Sequence, residues 1–348
     1  MKYSHFLKIK PHKHFAVLIA PLFMAFSGTT IAAKCNIESS PLPTSGNITQ
    51  SGTYTGSIRF QDDNLGFKTT RTFRIYFPEA YVNRANSNNT FPVLIGLHGG
   101  KIDNGCNFQD YSEFDSISHD MGNRGFIAIY PDARMTHRNN RNWGDGRSND
   151  DKNHPNRFKT DDVGAIGEII ATLAEKYFIN ENQIYASGMS NGGVMAAELA
   201  CNANFKYKIK GIGMVSSLMH PLQSDCSSRN VKTAIIFGEK DGIFNKGAAG
   251  KWSCGWKCDS ETIGLASTTA LWTNNNRCNP PLSVCVDRRG KKCRSARNER
   301  FTVSANTQCA NPVAVYTIPN GRHRWHTQLD TSQEIIDVFF NSGQLLNR

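Results

Sequence analysis

Ser190 stands at the centre of Gly188-Met189-Ser190-Asn191-Gly192-Gly193, a setting suited to a hydroxyl nucleophile. A strand-forming run over 182–187 precedes it and a helix-forming run over 194–200 follows. The pattern G-x-S-x-G therefore falls on a strand-to-helix turn, the context it requires. Gly188 and Gly192 keep side chains out of a reversal where backbone segments crowd together. The serine oxygen then stands at a helix N-terminus, whose free N–H groups favour developing negative charge. The chemistry this suggests is attack of Ser190 on a carbonyl carbon.

A serine hydroxyl attacks well only when a base takes its proton and an acid holds that base in the right tautomer. For a nucleophile on such a turn, the expected chain order is serine, acid, histidine. Asp241 is the leading acid, because Gly238-Glu239-Lys240 joins it to the apolar run over 234–237. Its rivals are Glu239, Asp225 and Asp259; Asp225 precedes that strand, and Asp259 lies in a cysteine-rich stretch. Only His323 and His326 follow the acid, and position mildly favours His323, the nearer to a strand ending at 318. His220 comes too early. The tetrahedral oxyanion also needs donors placed in advance. One is the Asn191 N–H; the other is expected from Leu97-His98-Gly99-Gly100, with Gly100 first and Gly99 close behind. His98 precedes that donor loop and reads as structural.

These residues need a scaffold that ends several strands at one edge. Alternating segments over 54–60 and 69–77 read as antiparallel strands. Apolar strands are then expected over 91–97, 126–130, 209–215, 232–237 and 313–318, with helices over 108–121 and 331–340. A long loop rich in Asn, Asp and Arg covers 134–159. Thr160-Asp161-Asp162 opens a helix whose Val163, Ile166, Ile169, Ile170 and Leu173 share one face. Asp161 and Asp162 there read as cap residues rather than catalysts. Strands alternating with helices predict an α/β fold, a mainly parallel central sheet with helices on both faces.

The first 33 residues read as a secretory signal peptide, with cleavage after Ala33. Lys2, Lys8, Lys10 and Lys13 form its basic start, and an apolar run over 15–26 follows. Residues 34–348 then form a single expected domain, with no second segment fit to span a membrane. Formal charge is +11 and falls by four with the leader, and no aromatic-interleaved basic motif points to nucleic acid. All ten cysteines follow the leader, which in an exported chain suggests disulfides. Cys254 and Cys258 have a zinc-like spacing, but no second ligand pair follows, so a bridge is favoured and no metal is expected. Six cysteines, a helix over 260–273 and a basic cluster (Arg288, Arg289, Lys291, Lys292, Arg294) mark 251–309 as a disulfide-stapled excursion.

Leu97-His98-Gly99-Gly100, Thr160-Asp161-Asp162-Val163-Gly164, the Ser190 motif, Leu199-Ala200-Cys201, Phe237-Gly238-Glu239-Lys240-Asp241 and His323-Arg324-Trp325 occur here in that order. From about residue 60 onwards the chain resembles the secreted polyhydroxybutyrate depolymerase and feruloyl esterase group of α/β-hydrolases. The resemblance implies Ser190, Asp241 and His323 as a catalytic triad, in agreement with the reading from chain order. It also implies Cys201–Cys226 and Cys278–Cys309 disulfides, and substrate contacts at Trp143 and Trp325, with packing as the alternative for Trp143. Arg322 and His326 depart from the group's usual glycine and proline, which bears on substrate preference. The expected activity is ester hydrolysis through an acyl-enzyme, without cofactor. Expected substrates are feruloyl or acetyl esters of polysaccharide, or short hydroxyalkanoate esters. The alternatives are a polyhydroxybutyrate depolymerase, a serine peptidase, and a non-catalytic binding protein of this fold.

Overall fold

Strands such as Phe91–Leu97, Ile127–Pro131 and Lys232–Gly238 are apolar at nearly every position, which suits burial on both faces. That is their situation in the computed structural model. It describes residues 35–84, 89–101, 103–135, 140–146, 159–228, 230–244, 250–251, 261–278, 283–284, 302–306, 309, 311–326 and 329–341. The expected leader, Cys254, Cys258, Cys285, Cys293 and the basic cluster lie outside these residues.

The chain begins with β1 (Ser40–Pro41), β2 (Gly52–Asp62), β3 (Phe67–Phe77), α1 (Glu79–Val82) and β4 (Phe91–Leu97). Next come α2 (Gly105–Ser112), α3 (Phe114–Asp120), β5 (Ile127–Pro131), α4 (Asp162–Ala174), β6 (Ile179–Met189) and α5 (Asn191–Cys201). β7 (Ile209–Val215), a 3-10 turn at Pro221–Gln223, β8 (Lys232–Gly238), β9 (Gly250–Lys251) and β10 (Glu261–Thr262) follow. The last elements are α6 (Gly264–Asn275), β11 (Ser283–Val284), β12 (Thr302–Asn306), β13 (Val313–Ile318) and α7 (Thr331–Phe340). One sheet runs in the order β1-β2-β3-β5-β4-β6-β7-β8-β13-β12-β11. Its middle, from β5 through β4, β6, β7 and β8 to β13, is parallel; β2, β3 and β12 join antiparallel neighbours.

Side chains alternate between two cores, as a period of two requires. Val93, Ile95, Ile235, Phe237, Val313 and Val315 pack with α4, α5 and α6. Leu94, Ala234, Ile236, Ala314 and Tyr316 face the opposite core, with α2, α3 and α7. The fold is thus an α/β-hydrolase sandwich, and the expected helices cover both faces.

One expectation needs correction. The single helix over 108–121 is broken at Glu113, which adopts φ 53° between α2 and α3. On one continuous helix, Phe108 and Phe114 would point about 120° apart. The break lets both reach the same core. Half-buried Asp115, in the first turn of α3, accepts from Tyr130 Oη at 2.6 Å and Gln109 Nε2 at 2.5 Å. Burial pushes that carboxyl up to about 6. Within 251–309, the expected disulfide-stapled excursion, the described residues also add to the core and to the sheet. α6 buries Leu265 and Trp272 in the core, and β12 extends the sheet beyond β13.

Disulfides join Cys201 to Cys226 and Cys278 to Cys309, as the resemblance implied, and Cys35 to Cys106, which no motif had indicated. No helix among the described residues is long and apolar enough to cross a membrane. The Cys201–Cys226 bridge spans 25 residues and ties the end of α5 to the loop before β8. Replacing both cysteines by alanine should lower the unfolding free energy by about 3 kcal/mol through loop entropy, as read by urea titration.

Candidate active site

The turn after β6 has the conformation that its glycines predict. Ser190 sits at φ 55°, ψ −122°, outside the ordinary regions for a side-chain-bearing residue, and its side chain is half-buried. A Cβ on Gly192 would stand 2.1 Å from Leu97 O and 2.5 Å from His98 O. One on Gly188 would stand 2.4 Å from the Gly192 carbonyl carbon. Neither site accepts any side chain, since the obstacles are backbone. Ser190 N–H donates to Val215 O at 2.8 Å, and Ser190 O accepts from Gly193 and Val194 N–H at 3.0 and 3.1 Å. The elbow is thereby fixed to both β7 and α5.

Asp241 lies in the turn after β8, with its side chain fully buried. Its Oδ1 accepts from Ile243 and Phe244 N–H at 2.9 and 3.0 Å, and Oδ2 meets His323 Nδ1 at 2.9 Å. With Nδ1–H given to the carboxylate, Nε2 is the basic nitrogen. Phe244 stacks on the imidazole at 5.8 Å and 15°. The base turn after β13 is pressed onto the acid loop: Lys240 N–H donates to Gly321 O at 2.8 Å and Glu239 N–H to Ile318 O at 2.9 Å. A Cβ on Gly238 would lie 2.4 Å from Gly321 O. Glu239 and Asp225 are exposed, and Asp259 lies outside the described residues. Ser190, Asp241 and His323 thus follow β6, β8 and β13 at one edge of the parallel sheet, with β7 between the first two.

The glycine loop after β4 separates its two candidate donors. Gly99 N–H donates to Asp103 Oδ2 at 2.8 Å, and that oxygen also accepts from Tyr111 Oη at 2.9 Å. Gly99 is therefore spent. No hydrogen bond among the described residues engages the N–H of Gly100 or Asn191. A Cβ on Gly100 would come within 3.7 Å of Asn191 Cβ, so the two backbones adjoin. Reciprocal bonds between Lys101 and Arg141, at 2.8 and 2.6 Å, hold the loop in place. The Asn191 side chain accepts from Trp143 N–H at 2.7 Å and donates to Asp145 Oδ2 at 2.5 Å, so it serves the scaffold.

Trp143 and Trp325 are packing residues rather than substrate surfaces. Trp143 is 1% exposed, and its indole N–H donates to His98 O at 2.8 Å. Trp325 is also buried; its indole N–H donates to Ser332 Oγ at 3.2 Å, and its ring meets Phe108 and Phe114 edge-on. An aromatic next to a catalytic motif looks the same in sequence whether it lines a cleft or supports one. His98 is structural, as expected: Nδ1 donates to Gly99 O at 2.6 Å, Nε2 accepts from Ala133 N–H at 3.0 Å, and burial lowers its pKa. Asp161 caps α4 through Gly164 N–H at 2.8 Å. Asp162, however, is no cap. It pairs with buried Arg71 at 2.7 Å and accepts from Gly144 N–H at 2.6 Å, tying the Trp143 loop to β3. Arg71 also reaches Asp62 at 3.1 Å. Nothing in the sequence singled out this role for Asp162 or its partner Arg71.

His326, the other candidate imidazole, is 1% exposed, and Asp241 is bonded to His323 instead. Neither of its ring nitrogens has a hydrogen-bond partner among the described residues. Burial, helped by Arg324, lowers its pKa to about 4. The folded state therefore favours the neutral ring, and the unfolded chain takes up the proton first as pH falls. The stability this contributes is present above the unfolded value and is lost as pH drops through about 4. His326→Leu should abolish this loss, so the parent protein should lose about 3 kcal/mol more than the variant between pH 7 and pH 4. Urea unfolding at both pH values measures the difference, and the opposing contribution of Asp115 cancels in it.

The sequence profile of the prolyl oligopeptidase family matches residues 112–231, less than half of the chain. No curated protein matches it. Among solved structures, it is similar to an acetyl xylan esterase from Aspergillus awamori, with 11% identity over 77% of this chain and 93% of that one (TM-score 0.48). A ferulic acid esterase from Anaeromyces mucronatus is similar at 14% identity over 88% and 99% (TM-score 0.47). A putative dipeptidyl aminopeptidase IV from Bacteroides ovatus is similar at 13% identity over 85% of this chain and 36% of that one (TM-score 0.48). Sheet order, elbow geometry and the matched profile together identify the fold as that of the α/β-hydrolases and the chain as a serine hydrolase.

Proposed function

We propose that this chain is an exported carboxylesterase working through an acyl-enzyme, with Ser190, Asp241 and His323 as its triad. The observation that carries the reading is the Asp241–His323 hydrogen bond of 2.9 Å, at the sheet edge that also presents the strained Ser190. His323 Nε2 takes the Ser190 proton while Oγ bonds to the ester carbonyl carbon. The N–H groups of Asn191 and Gly100 donate to the oxyanion. His323 returns the proton to the leaving alkoxide, and an alcohol departs. Water attacks the acyl-serine by the same route, releasing the acid and restoring Ser190.

Feruloyl or acetyl esters of polysaccharide, or short hydroxyalkanoate esters, are the substrates favoured by the motif set; a polyhydroxybutyrate depolymerase is the polymer-acting variant of that reading. Buried Trp143 and Trp325 give it no support from a substrate-facing aromatic. Export rests on the basic and apolar leader, with cleavage after Ala33. The three disulfides among the described residues fit an oxidising compartment. A second reading, peptide hydrolysis by the same triad, is favoured by the prolyl oligopeptidase profile over residues 112–231.

The purified protein and Ser190→Ala should be compared on nitrophenyl acetate and butyrate, methyl ferulate, acetylated xylan, hydroxybutyrate oligomers and a prolyl anilide. Turnover of the short esters is expected, with kcat falling about ten-thousand-fold or more in Ser190→Ala. Cleavage of the anilide without ester turnover would support the peptidase reading. Equal ester turnover by both proteins would end the nucleophile assignment.

A further inference from the structure

Asp241, Phe244 and the backbone bonds from Glu239 and Lys240 all fix the base turn to the loop after β8. None of them refers the imidazole to the elbow, which hangs on β7 through Ser190 N–H and Val215 O. A different residue makes that link. Ser216, the first residue after β7, is buried, and its N–H donates to Ile236 O of β8 at 2.9 Å. Its hydroxyl donates to Arg324 O at 3.0 Å and accepts from Arg324 N–H at 3.2 Å. One side chain therefore engages both backbone groups of the residue that follows His323. Ser216 also sits at φ 45°, in the left-handed region that side-chain-bearing residues rarely occupy. That backbone aims the hydroxyl across the sheet edge to the base turn rather than along its own loop.

We propose that Ser216 is a positioning residue for the catalytic base, setting the distance between His323 and Ser190 by clamping the base turn to the strand that anchors the elbow. The proposal rests on the reading of Ser190, Asp241 and His323 as the triad. The path is continuous: elbow, Val215, Ser216, Arg324, His323. Removing the hydroxyl frees two bonds at the point where the base turn meets β7, while the contacts of His323 to Asp241 and Phe244 stay in place. The imidazole keeps its tautomer but loses its register against the nucleophile. A misplacement near 1 Å is enough to lower turnover by about a hundredfold.

Ser216→Ala is the test, with Ser216→Gly beside it, because glycine removes the same hydroxyl and accepts φ 45° without strain. Whichever variant folds, by circular dichroism and thermal melting, carries the measurement. On a short nitrophenyl ester, kcat should fall about ten- to a hundredfold with KM within about twofold of the parent. The far-downfield Nδ1–H proton resonance of His323 should persist, since its bond to Asp241 is untouched. Unchanged kcat would overturn the proposal. So would a loss of kcat accompanied by loss of that resonance, because Ser216 would then support the dyad and not its distance from Ser190. Ser190→Ala, run in parallel, separates the two readings: if it turns over like the parent, the triad assignment fails, whatever Ser216 does.

Discussion

Backbone meets backbone where the Gly188 and Gly192 segment crosses the end of β4, and that contact is the constraint on which the site depends. With a Cβ at Gly192 only 2.1 Å from Leu97 O, the elbow can close against β4 only if that position is glycine. The closure holds Ser190 at φ 55°, at a cost on the order of 1–3 kcal/mol. It also seats the glycine loop after β4 directly beside the first turn of α5. The proposed nucleophile and oxyanion donors are neighbours because one crossing brings both together. Relaxing the crossing would move them apart at once.

A layer of buried polar groups keeps that crossing rigid. Asn191 holds Trp143 and Asp145, Trp143 holds the carbonyl of His98, and Asp162 holds Gly144 while pairing with Arg71. These contacts are made in a medium where leaving such a group unpaired would cost about 1–3 kcal/mol. Such a network adds little net stability over an apolar filling, since desolvation offsets most of the attraction. What it adds is direction. Hydrogen bonds admit one orientation of the 142–145 loop, and Gly100 is held against that loop.

Much of this was legible in the sequence, for reasons that differ by element. The elbow was readable because its glycines, its serine and the switch from strand to helix are all local. The parallel sheet was readable because largely apolar strands alternating with helices need cover on both faces, and the two cores provide it. Chain order pointed to Asp241 and to the pair His323 and His326. Position favoured His323 only mildly, since both sit in one turn, and its contact with Asp241 is a long-range one that spacing does not record. Asp162 looked like a cap because its partner, Arg71, lies on a distant strand. Trp143 and Trp325 resembled cleft aromatics because sequence does not record which way a ring faces. Glu113 gave no breaking signal; the need to bury both Phe108 and Phe114 imposed that break from outside the helix.

The central claim is that the Ser190 hydroxyl is activated by an imidazole that Asp241 orients. A fluorophosphonate probe tests it most directly, because the probe reacts with a hydroxyl only when a base assists. After reaction and digestion, peptide mass spectrometry should place the phosphonyl group on Ser190, and His323→Ala should slow its attachment by orders of magnitude. An adduct on another residue, or equal labelling of the parent and the His323→Ala protein, would contradict the account.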